Sequence, residues 1–187
     1  MSSNTGNALD FAGRTAIVTG GSQGIGFGVA ERLLASGANV SIWAVNQERL
    51  THAAAKLDGG QRVQTVSTDI GNLASVEAAT KAVLDAYGQI DVLINNAGVA
   101  GPNVKMWEFP PDAFAHMVHV NVVGTFYCCR AVVPHMIARD YGRIVNISSI
   151  AGKEGKRIFV ASVPSAARHA RRARSEREAW SSDRVLF

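Results

Sequence analysis

The sequence predicts an α/β domain with a doubly wound parallel sheet, followed by a short segment of different composition. Two observations indicate this fold: short apolar runs alternate with longer helical patterns, and the runs show little polar alternation. Parallel strands covered on both faces have this character, and strand–helix alternation implies right-handed crossovers. A third observation is that residues 1–155 carry a net charge of −1, whereas residues 156–187 carry +5 and contain no glycine.

The individual elements follow from local patterns. Five strands are predicted from runs of β-branched and apolar residues, at positions 14–19, 39–44, 62–66, 90–94 and 143–147. After the first strand, Ile25, Val29 and Leu33 recur at every fourth position, which is typical of a helix with one buried face. A similar pattern spans 73–86, and a longer helix is predicted over 112–139 with a break or bend near Pro134.

Composition excludes several classes of protein. The 187 residues are 47% apolar and 18% charged, which excludes a disordered chain and is typical of one globular domain. No run of eighteen apolar residues occurs, and the first ten residues have neither a basic start nor an apolar stretch. We therefore expect no membrane span, no secretory signal and a cytoplasmic protein.

The residues that most often bind metals are few. Cys128 and Cys129 are adjacent, so they cannot form a disulfide framework or a metal site by themselves. His116 and His119 have helical i,i+3 spacing, but the sequence offers no evident third ligand. We predict that these four side chains pack on helix faces and that the protein has no metal site.

A glycine-rich turn joins the first strand to the first helix, with the sequence Thr19-Gly20-Gly21-Ser22-Gln23-Gly24-Ile25-Gly26. Glycine permits a tight turn and lets the backbone approach a phosphate closely. The N-terminus of the following helix supplies free N–H groups and a partial positive charge. This pattern predicts a pyrophosphate-binding turn, and the alternative is an ordinary strand–helix turn.

The end of the second strand selects between dinucleotides, because a carboxylate there binds the ribose 2′-hydroxyl and disfavours a 2′-phosphate. Here the strand ends Trp43-Ala44-Val45-Asn46, with neither an acid nor an arginine. The cofactor is therefore NADP or NAD, and the missing carboxylate favours NADP.

Four motifs occur in order: TGGSQGIG, NNAG at 95–98, HVNVVG around Asn121 and RIVNISSIAG. Over residues 10–155 the sequence resembles the short-chain dehydrogenase/reductase family, in particular its 3-oxoacyl-carrier-protein reductase and sugar dehydrogenase members. The resemblance implies a Rossmann-type sheet with strand order 3-2-1-4-5. It also implies NAD(P)-dependent hydride transfer to or from a small alcohol or carbonyl substrate. The family's homo-oligomer is an open question for this chain.

The resemblance assigns roles residue by residue. Ser149 would hydrogen-bond the substrate oxygen, and Asn121 would position a water in a proton relay. Gly20, Gly24 and Gly26 would bind phosphate, and Asp69 would bind the adenine amino group. The complete cofactor-binding set implied is Gly20, Ser22, Gln23, Gly24, Ile25, Gly26, Asp69, Ile70, Asn95, Ala97 and Gly98.

The sequence departs from the family after Ser149. The family's proton donor is a tyrosine, and a lysine four residues later lowers the tyrosine pKa toward the working pH. All tyrosines here precede Ser149, no lysine follows Lys156, and Ser162 and Ala166 occupy the expected positions. We expect an inactive or nearly inactive enzyme, or alternatively a catalytically silent dinucleotide-binding module. The helix with this pair and the last strands are expected to be missing, which leaves the outer edge of strand 143–147 unpaired.

Three segments are therefore predicted: a flexible N-terminus over 1–10, a dinucleotide-binding domain over 11–155, and a basic arginine-rich tail over 156–187. The abrupt change in composition near Gly155 is typical of a reading-frame change or an aberrant terminus. The tail could bind phosphates or nucleic acid, but it lacks interleaved aromatic residues and a groove-entering fold. We expect no nucleic-acid partner and a solvated helix supported by pairs such as Arg172–Glu176.

Overall fold

All the strands among the described residues belong to one parallel sheet. The computed structural model describes residues 10–148 and 185–186. Its strands are Thr15–Thr19 (β1), Asn39–Ala44 (β2), Val63–Ser67 (β3), Val92–Asn95 (β4), Gly142–Asn146 (β5) and Val185–Leu186 (β6). They are arranged in the order β3-β2-β1-β4-β5-β6, and every neighbouring pair is parallel. The predicted order 3-2-1-4-5 is confirmed.

The helices lie between consecutive strands of the first five. They are Gly24–Ala35 (α1), Gln47–Leu57 (α2), Leu73–Tyr87 (α3), Pro111–Val118 (α4) and Thr125–Ala138 (α5). A π-helical segment, His119–Gly124, joins α4 to α5, and 3-10 turns cover Gly60–Arg62 and Met106–Glu108. Two helices begin at asparagine caps, because the side-chain oxygens of Asn46 and Asn72 accept backbone N–H groups of Arg49 and Ser75.

The core has one half on each face of the sheet. Ala16 and Val18 of β1 are buried with residues of α1 and α2, whereas Ile17 between them is buried with residues of α3 and α5. Successive side chains of a strand point to opposite faces, so both faces must be apolar. This double burial explains why the strands show no polar alternation in the sequence.

A buried carboxylate joins β1 to the residues before β4. Asp91, only 1% exposed, accepts hydrogen bonds from Thr15 N at 2.8 Å and Gln89 Nε2 at 2.7 Å. Arg14 Nη1 donates to the same carboxylate at 3.1 Å. Because a buried carboxylate needs charged or N–H partners, this arrangement fixes the two strands at their amino ends.

The helix predicted over 112–139 is irregular at a different place from the one predicted. Pro134 lies inside α5, four residues before the last helical residue, and the helix continues through it. The irregular part is instead His119–Gly124, where the Cβ of any residue replacing Gly124 would lie 2.9 Å from Ile70 Cγ1. The predicted break at Pro134 is therefore wrong. A proline near a helix end removes one backbone hydrogen bond, which the rest of α5 tolerates.

The whole helical stretch Pro111–Ala138 is 28 residues long and largely apolar. Length and composition alone would allow it to cross a membrane. Met117, Cys128, Val132 and Met136 are buried within the domain, however, and core helices of soluble proteins pass the same test. The absence of a membrane span stays a prediction.

The sheet extends one strand further than predicted. Val185 and Leu186 pair in parallel with Gly142 and Arg143 of β5. The prediction that no strand pairs with the outer edge of β5 is therefore wrong for Gly142 and Arg143, the first two residues of this strand. A β-branched valine followed by leucine suits a short strand, although two residues gave too weak a pattern to detect. In the described ranges, Ile144–Asn146 have no strand partner on that outer side.

Candidate dinucleotide-binding site

Most of the predicted cofactor residues lie at the carboxyl ends of β1 and β4, and Asp69 and Ile70 follow β3. These strands are neighbours although they are far apart in the chain, so the chain reverses its winding direction between them. In open parallel sheets a crevice forms at such a switch point, and ligands bind there. The turn after β1 and the Asn95–Gly98 segment, which begins at the last residue of β4, border this crevice.

The turn after β1 requires glycine for both conformation and space. Gly20 has φ +64°, and a Cβ there would lie 2.9 Å from Asn96 Nδ2 and 3.0 Å from Ala97 Cα. Gly24 begins α1 with φ +57°. No side chain caps the N-terminus of α1, and its first turn has no acidic residue. The first N–H groups of α1 therefore have no capping side chain, and anion binding there stays a prediction.

Asn96 and Thr19 fasten the turn to β4. Asn96 Nδ2 donates to the carbonyl oxygens of Thr19 at 3.0 Å and Gly20 at 3.3 Å. The backbone N–H groups of Asn96 and Ala97 both donate to Thr19 Oγ1 at 3.0 Å, and this hydroxyl donates to the Ile94 carbonyl at 3.3 Å. Neither residue was among the predicted site residues. The signal was available, because Thr19 opens the glycine-rich motif and Asn96 lies within the NNAG segment.

Gly26 lies against this set of hydrogen bonds. A Cβ at position 26 would lie 2.4 Å from Asn96 Nδ2 and 2.5 Å from the Gly20 carbonyl oxygen. The third glycine of the motif therefore lets α1 approach the turn and Asn96 closely. Its contribution is to packing around the turn.

Asn95 points into the sheet's interior. Its Nδ2 donates to Asn146 Oδ1 at 2.9 Å and to Cys129 Sγ at 3.4 Å, which links β4, β5 and α5. Its Oδ1 is buried and has no hydrogen-bond partner among the described residues. These contacts suit a residue that steadies the central strand, and contact with a cofactor stays a prediction.

The adenine side of the crevice lies after β3. Asp69 is exposed, and its Oδ1 accepts the Gly71 N–H at 2.9 Å. Its second carboxylate oxygen has no hydrogen bond in the described part of the chain. The Ile70 side chain is buried beneath Gly124, so only the Ile70 backbone is available to a ligand.

The end of β2 carries no charge. Ala44 is half-buried, Val45 is 71% exposed, and the Asn46 side-chain oxygen is used to cap α2. Neither a 2′-hydroxyl nor a 2′-phosphate would meet a carboxylate here. The first turn of α1 is equally open, because Ile25 is 67% exposed. Ile25 thus does not join the buried face of α1, and it lies beside the crevice.

Asn121 uses its side chain to hold the segment after β4. Its Oδ1 accepts the Val99 N–H at 2.9 Å, and its Nδ2 donates to the Val99 carbonyl at 3.0 Å. Its own carbonyl accepts the Thr125 hydroxyl at 2.9 Å. Gly98 allows this approach, because a Cβ there would lie 3.1 Å from Asn121 Oδ1. A role in a proton relay stays a prediction.

Cys128, Cys129 and His119 make contacts within the domain. Burial raises the pKa of the Cys128 thiol to about 12 and also raises that of Cys129. His119 Nε2 lies 2.8 Å from the Gly71 carbonyl oxygen. Ser149 and the arginine-rich tail lie outside the described residues.

Comparisons with known proteins agree with this geometry. The short chain dehydrogenase family model matches residues 14–176. The chain belongs to the short-chain dehydrogenase family. It is 46% identical over 145 residues to a 2-dehydro-3-deoxy-L-rhamnonate dehydrogenase (NAD(+)) of Sphingomonas sp., which covers 78% of this chain and 57% of the relative. It is 35% identical to the 3-oxoacyl-[acyl-carrier-protein] reductase FabG of Chlamydia pneumoniae, covering 79% of this chain and 59% of FabG.

Solved short-chain dehydrogenase structures have the same fold. An NAD⁺-bound xylitol dehydrogenase superposes with a TM-score of 0.88 at 30% identity, covering 95% of this chain and 68% of that one. A 3-ketoacyl-(acyl-carrier-protein) reductase from Brucella melitensis complexed with NADH gives 0.87 at 25% identity, covering 93% and 73%. This chain spans less than three fifths of the two curated relatives.

Proposed function

We propose that this chain binds a nicotinamide dinucleotide, with the pyrophosphate on the turn from Gly20 to Gly26. The observation that carries the proposal is the set of hydrogen bonds from Asn96 and Thr19, which holds the turn open at the uncapped start of α1. Asp69 would accept a hydrogen bond from the adenine amino group, and Ala97 and Gly98 would lie along the nicotinamide half of the dinucleotide.

The family reaction is oxidoreduction of a small alcohol or carbonyl substrate. The dinucleotide, when bound, supplies or accepts the hydride at nicotinamide C4. In the reductive direction the substrate oxygen must also gain a proton. Ser149 would hydrogen-bond that oxygen, while Asn121 would help position a water.

The 187 residues contain no tyrosine after Tyr141 and no lysine after Lys156. Serine, at position 162, is a much weaker acid than a tyrosine beside a lysine. Loss of general acid catalysis alone typically costs about 10²–10⁴ in rate. We therefore infer that the chain turns over at a trace rate or not at all, and that it acts as a dinucleotide-binding module.

Both NAD and NADP are candidate cofactors. The uncharged end of β2 leaves room for a 2′-phosphate, which favours NADP. Among the similar proteins, the 2-dehydro-3-deoxy-L-rhamnonate dehydrogenase uses NAD⁺, and the two solved structures hold NAD⁺ and NADH. We further propose a cytoplasmic location without membrane or nucleic-acid partners.

The test is a titration of the full 187-residue chain with NADP⁺, NAD⁺ and ADP, followed by turnover assays with NADPH and small carbonyl compounds. We expect saturable but weak binding, with ADP nearly as tight as the dinucleotide because no lysine holds the nicotinamide ribose. Turnover should stay below detection. Robust turnover that Ser149→Ala abolishes would contradict the catalytic part of the proposal.

A matched pair of variants locates the binding site. Gly24→Asp places a carboxylate at the start of α1 against the pyrophosphate, and aspartate tolerates positive φ better than most residues. Gly28→Asp adds the same charge one turn further along α1, where nothing lies within 4 Å. We expect the first to abolish binding and the second to preserve most of it. Equal effects would refute binding at the turn.

A further inference from the structure

The π-helical segment His119–Gly124 contacts both the turn after β3 and the segment after β4. Two of its side chains point to different sides, because residues two apart on a helix do not face each other. Asn121 bonds the backbone N–H and carbonyl of Val99. His119 points instead to the turn after β3, where its Nε2 lies 2.8 Å from the Gly71 carbonyl oxygen. The segment therefore touches the adenine side and the nicotinamide side of the proposed site.

The contact between His119 and Gly71 has a defined direction. A carbonyl oxygen can only accept a hydrogen bond, so the imidazole must carry a proton on Nε2 and donate it. The imidazole also packs edge-to-face against the ring of Tyr127 in α5, with the ring centroids 6.4 Å apart. This aromatic neighbour restricts the rotation of the imidazole and keeps its N–H directed at the turn.

The Gly71 peptide in turn orients the Asp69 carboxylate. Its N–H donates to Asp69 Oδ1 at 2.9 Å, while its carbonyl accepts from His119. The packing is close, because a Cβ at position 71 would lie 3.2 Å from Asp69 Oδ1 and 3.1 Å from His119 Cδ2. One carboxylate oxygen is therefore held by the turn, and Oδ2 has no hydrogen bond in the described part of the chain.

Two other contacts hold the turn after β3, and both are made through residues other than Gly71. Ser75 Oγ accepts the Asp69 N–H at 3.1 Å, and the buried Ile70 packs beneath Gly124. Loss of the His119 hydrogen bond would therefore release the Gly71 peptide, while the rest of the turn stays attached to α3 and to the core.

We propose that His119 is a positioning residue for recognition of the adenine base. Through Gly71 it orients the Asp69 carboxylate toward the 6-amino group of the purine, and it does so from a helix 48 positions further along the chain. This inference rests on the proposed function, because it assumes that Asp69 faces the adenine of a bound dinucleotide. Selection for an amino group over an oxygen at this purine position then depends on His119.

The test compares the affinities of the full chain for NAD⁺ and for nicotinamide hypoxanthine dinucleotide, measured by calorimetry. The second compound has an oxygen in place of the 6-amino group, so it cannot donate to Asp69. We expect the unaltered chain to bind NAD⁺ about tenfold more tightly, which is the effect of one hydrogen bond to a charged group. Asp69→Ala should abolish this preference, and His119→Leu should reduce it to about threefold or less, because the carboxylate is then free to turn away.

Two amide variants distinguish a missing donor from a damaged fold. Glutamine places its amide nitrogen at the reach of the histidine Nε2, so His119→Gln should keep the preference. Asparagine is one bond shorter, so His119→Asn should lose the preference as His119→Leu does. His116→Leu is the matched control and should leave the preference unchanged. His116 is exposed on α4 three residues earlier, and its side chain has no hydrogen bond among the described residues.

A His119→Leu variant that keeps the tenfold ratio would overturn the inference. So would a variant that weakens both compounds equally, since that is the result of a purely structural role. Equal binding of the two compounds by the unaltered chain would also overturn it, while leaving the proposed function intact. Failure of both to bind would overturn the proposed function itself, and the inference with it.

Discussion

Replacing Gly26 with alanine tests whether close packing holds the glycine turn in place. The new Cβ would lie 2.4 Å from Asn96 Nδ2 and 2.5 Å from the Gly20 carbonyl oxygen, and one of these is a backbone atom that cannot rotate away. Either α1 must move from the turn, or Asn96 must give up its hydrogen bonds to Thr19 and Gly20. Gly28 is the matched control, since it lies in the same helix and a Cβ there meets nothing within 4 Å.

The size of the effect follows from these contacts. Overpacking a well-packed site costs about 1–3 kcal/mol. Two neutral hydrogen bonds contribute about 1 kcal/mol each. Because one of these two costs applies, Gly26→Ala should lower the free energy of unfolding by about 1–3 kcal/mol, a substantial part of a typical total of about 5–15 kcal/mol. Gly28→Ala should instead raise it by up to about 1 kcal/mol, because alanine favours helix over glycine.

Urea unfolding followed by circular dichroism measures both variants, and a dinucleotide titration on the folded protein measures the turn. Gly26→Ala should lose stability and binding together, whereas Gly28→Ala should keep both. If the two variants unfold at the same urea concentration and bind equally well, the close approach at Gly26 does not hold the turn.

Three further predictions concern other parts of the molecule. Asp91→Ala should lower the free energy of unfolding by about 2–4 kcal/mol, because it leaves a buried N–H unpaired. Asp85→Ala breaks an exposed ion pair and should lower it by less than about 1 kcal/mol. Equal losses for the two variants in urea unfolding would contradict this prediction. Since burial raises the pKa of Cys128 to about 12, Ellman's reagent should modify it slowly in the native protein. The unfolded chain releases this proton first, so stability should fall as the pH rises above about 9, and a flat profile up to pH 11 would refute this explanation. Finally, Ala44→Asp should shift preference toward NAD⁺ in paired titrations, and an unchanged ratio would exclude this strand end from the ribose site.

The five long strands were predictable from local runs of apolar and β-branched residues, and the sheet order followed from the family resemblance. The sequence did not predict features whose position depends on tertiary contacts. Pro134 gave a signal for a break, yet the irregular segment is at 119–124, where Gly124 packs on Ile70. The short strand Val185–Leu186 had no periodicity to detect.

The glycine turn was the predictable part of the site, because its conformation is local. Glycine positions in the turn follow from local conformation, and Gly20 and Gly24 do have positive φ. The contacts that hold the turn are made between Thr19 and Asn96, which are 77 residues apart, so no local pattern describes them. In the same way, the pairing of Asn121 with Val99 depends on the position of the π-helical segment relative to β4.

The most direct test of the central claim is an amide NMR spectrum of the ¹⁵N-labelled full chain, recorded with and without NADP⁺. Binding at the turn predicts that the largest shifts occur at the N–H groups of residues 22–26 and 96–98, with smaller shifts near Asp69. A groove lies between α3 and α5, lined by residues that include Lys81 and Arg130. Shifts confined to that groove, or no shifts at saturating dinucleotide, would contradict the claim that the glycine turn binds the cofactor.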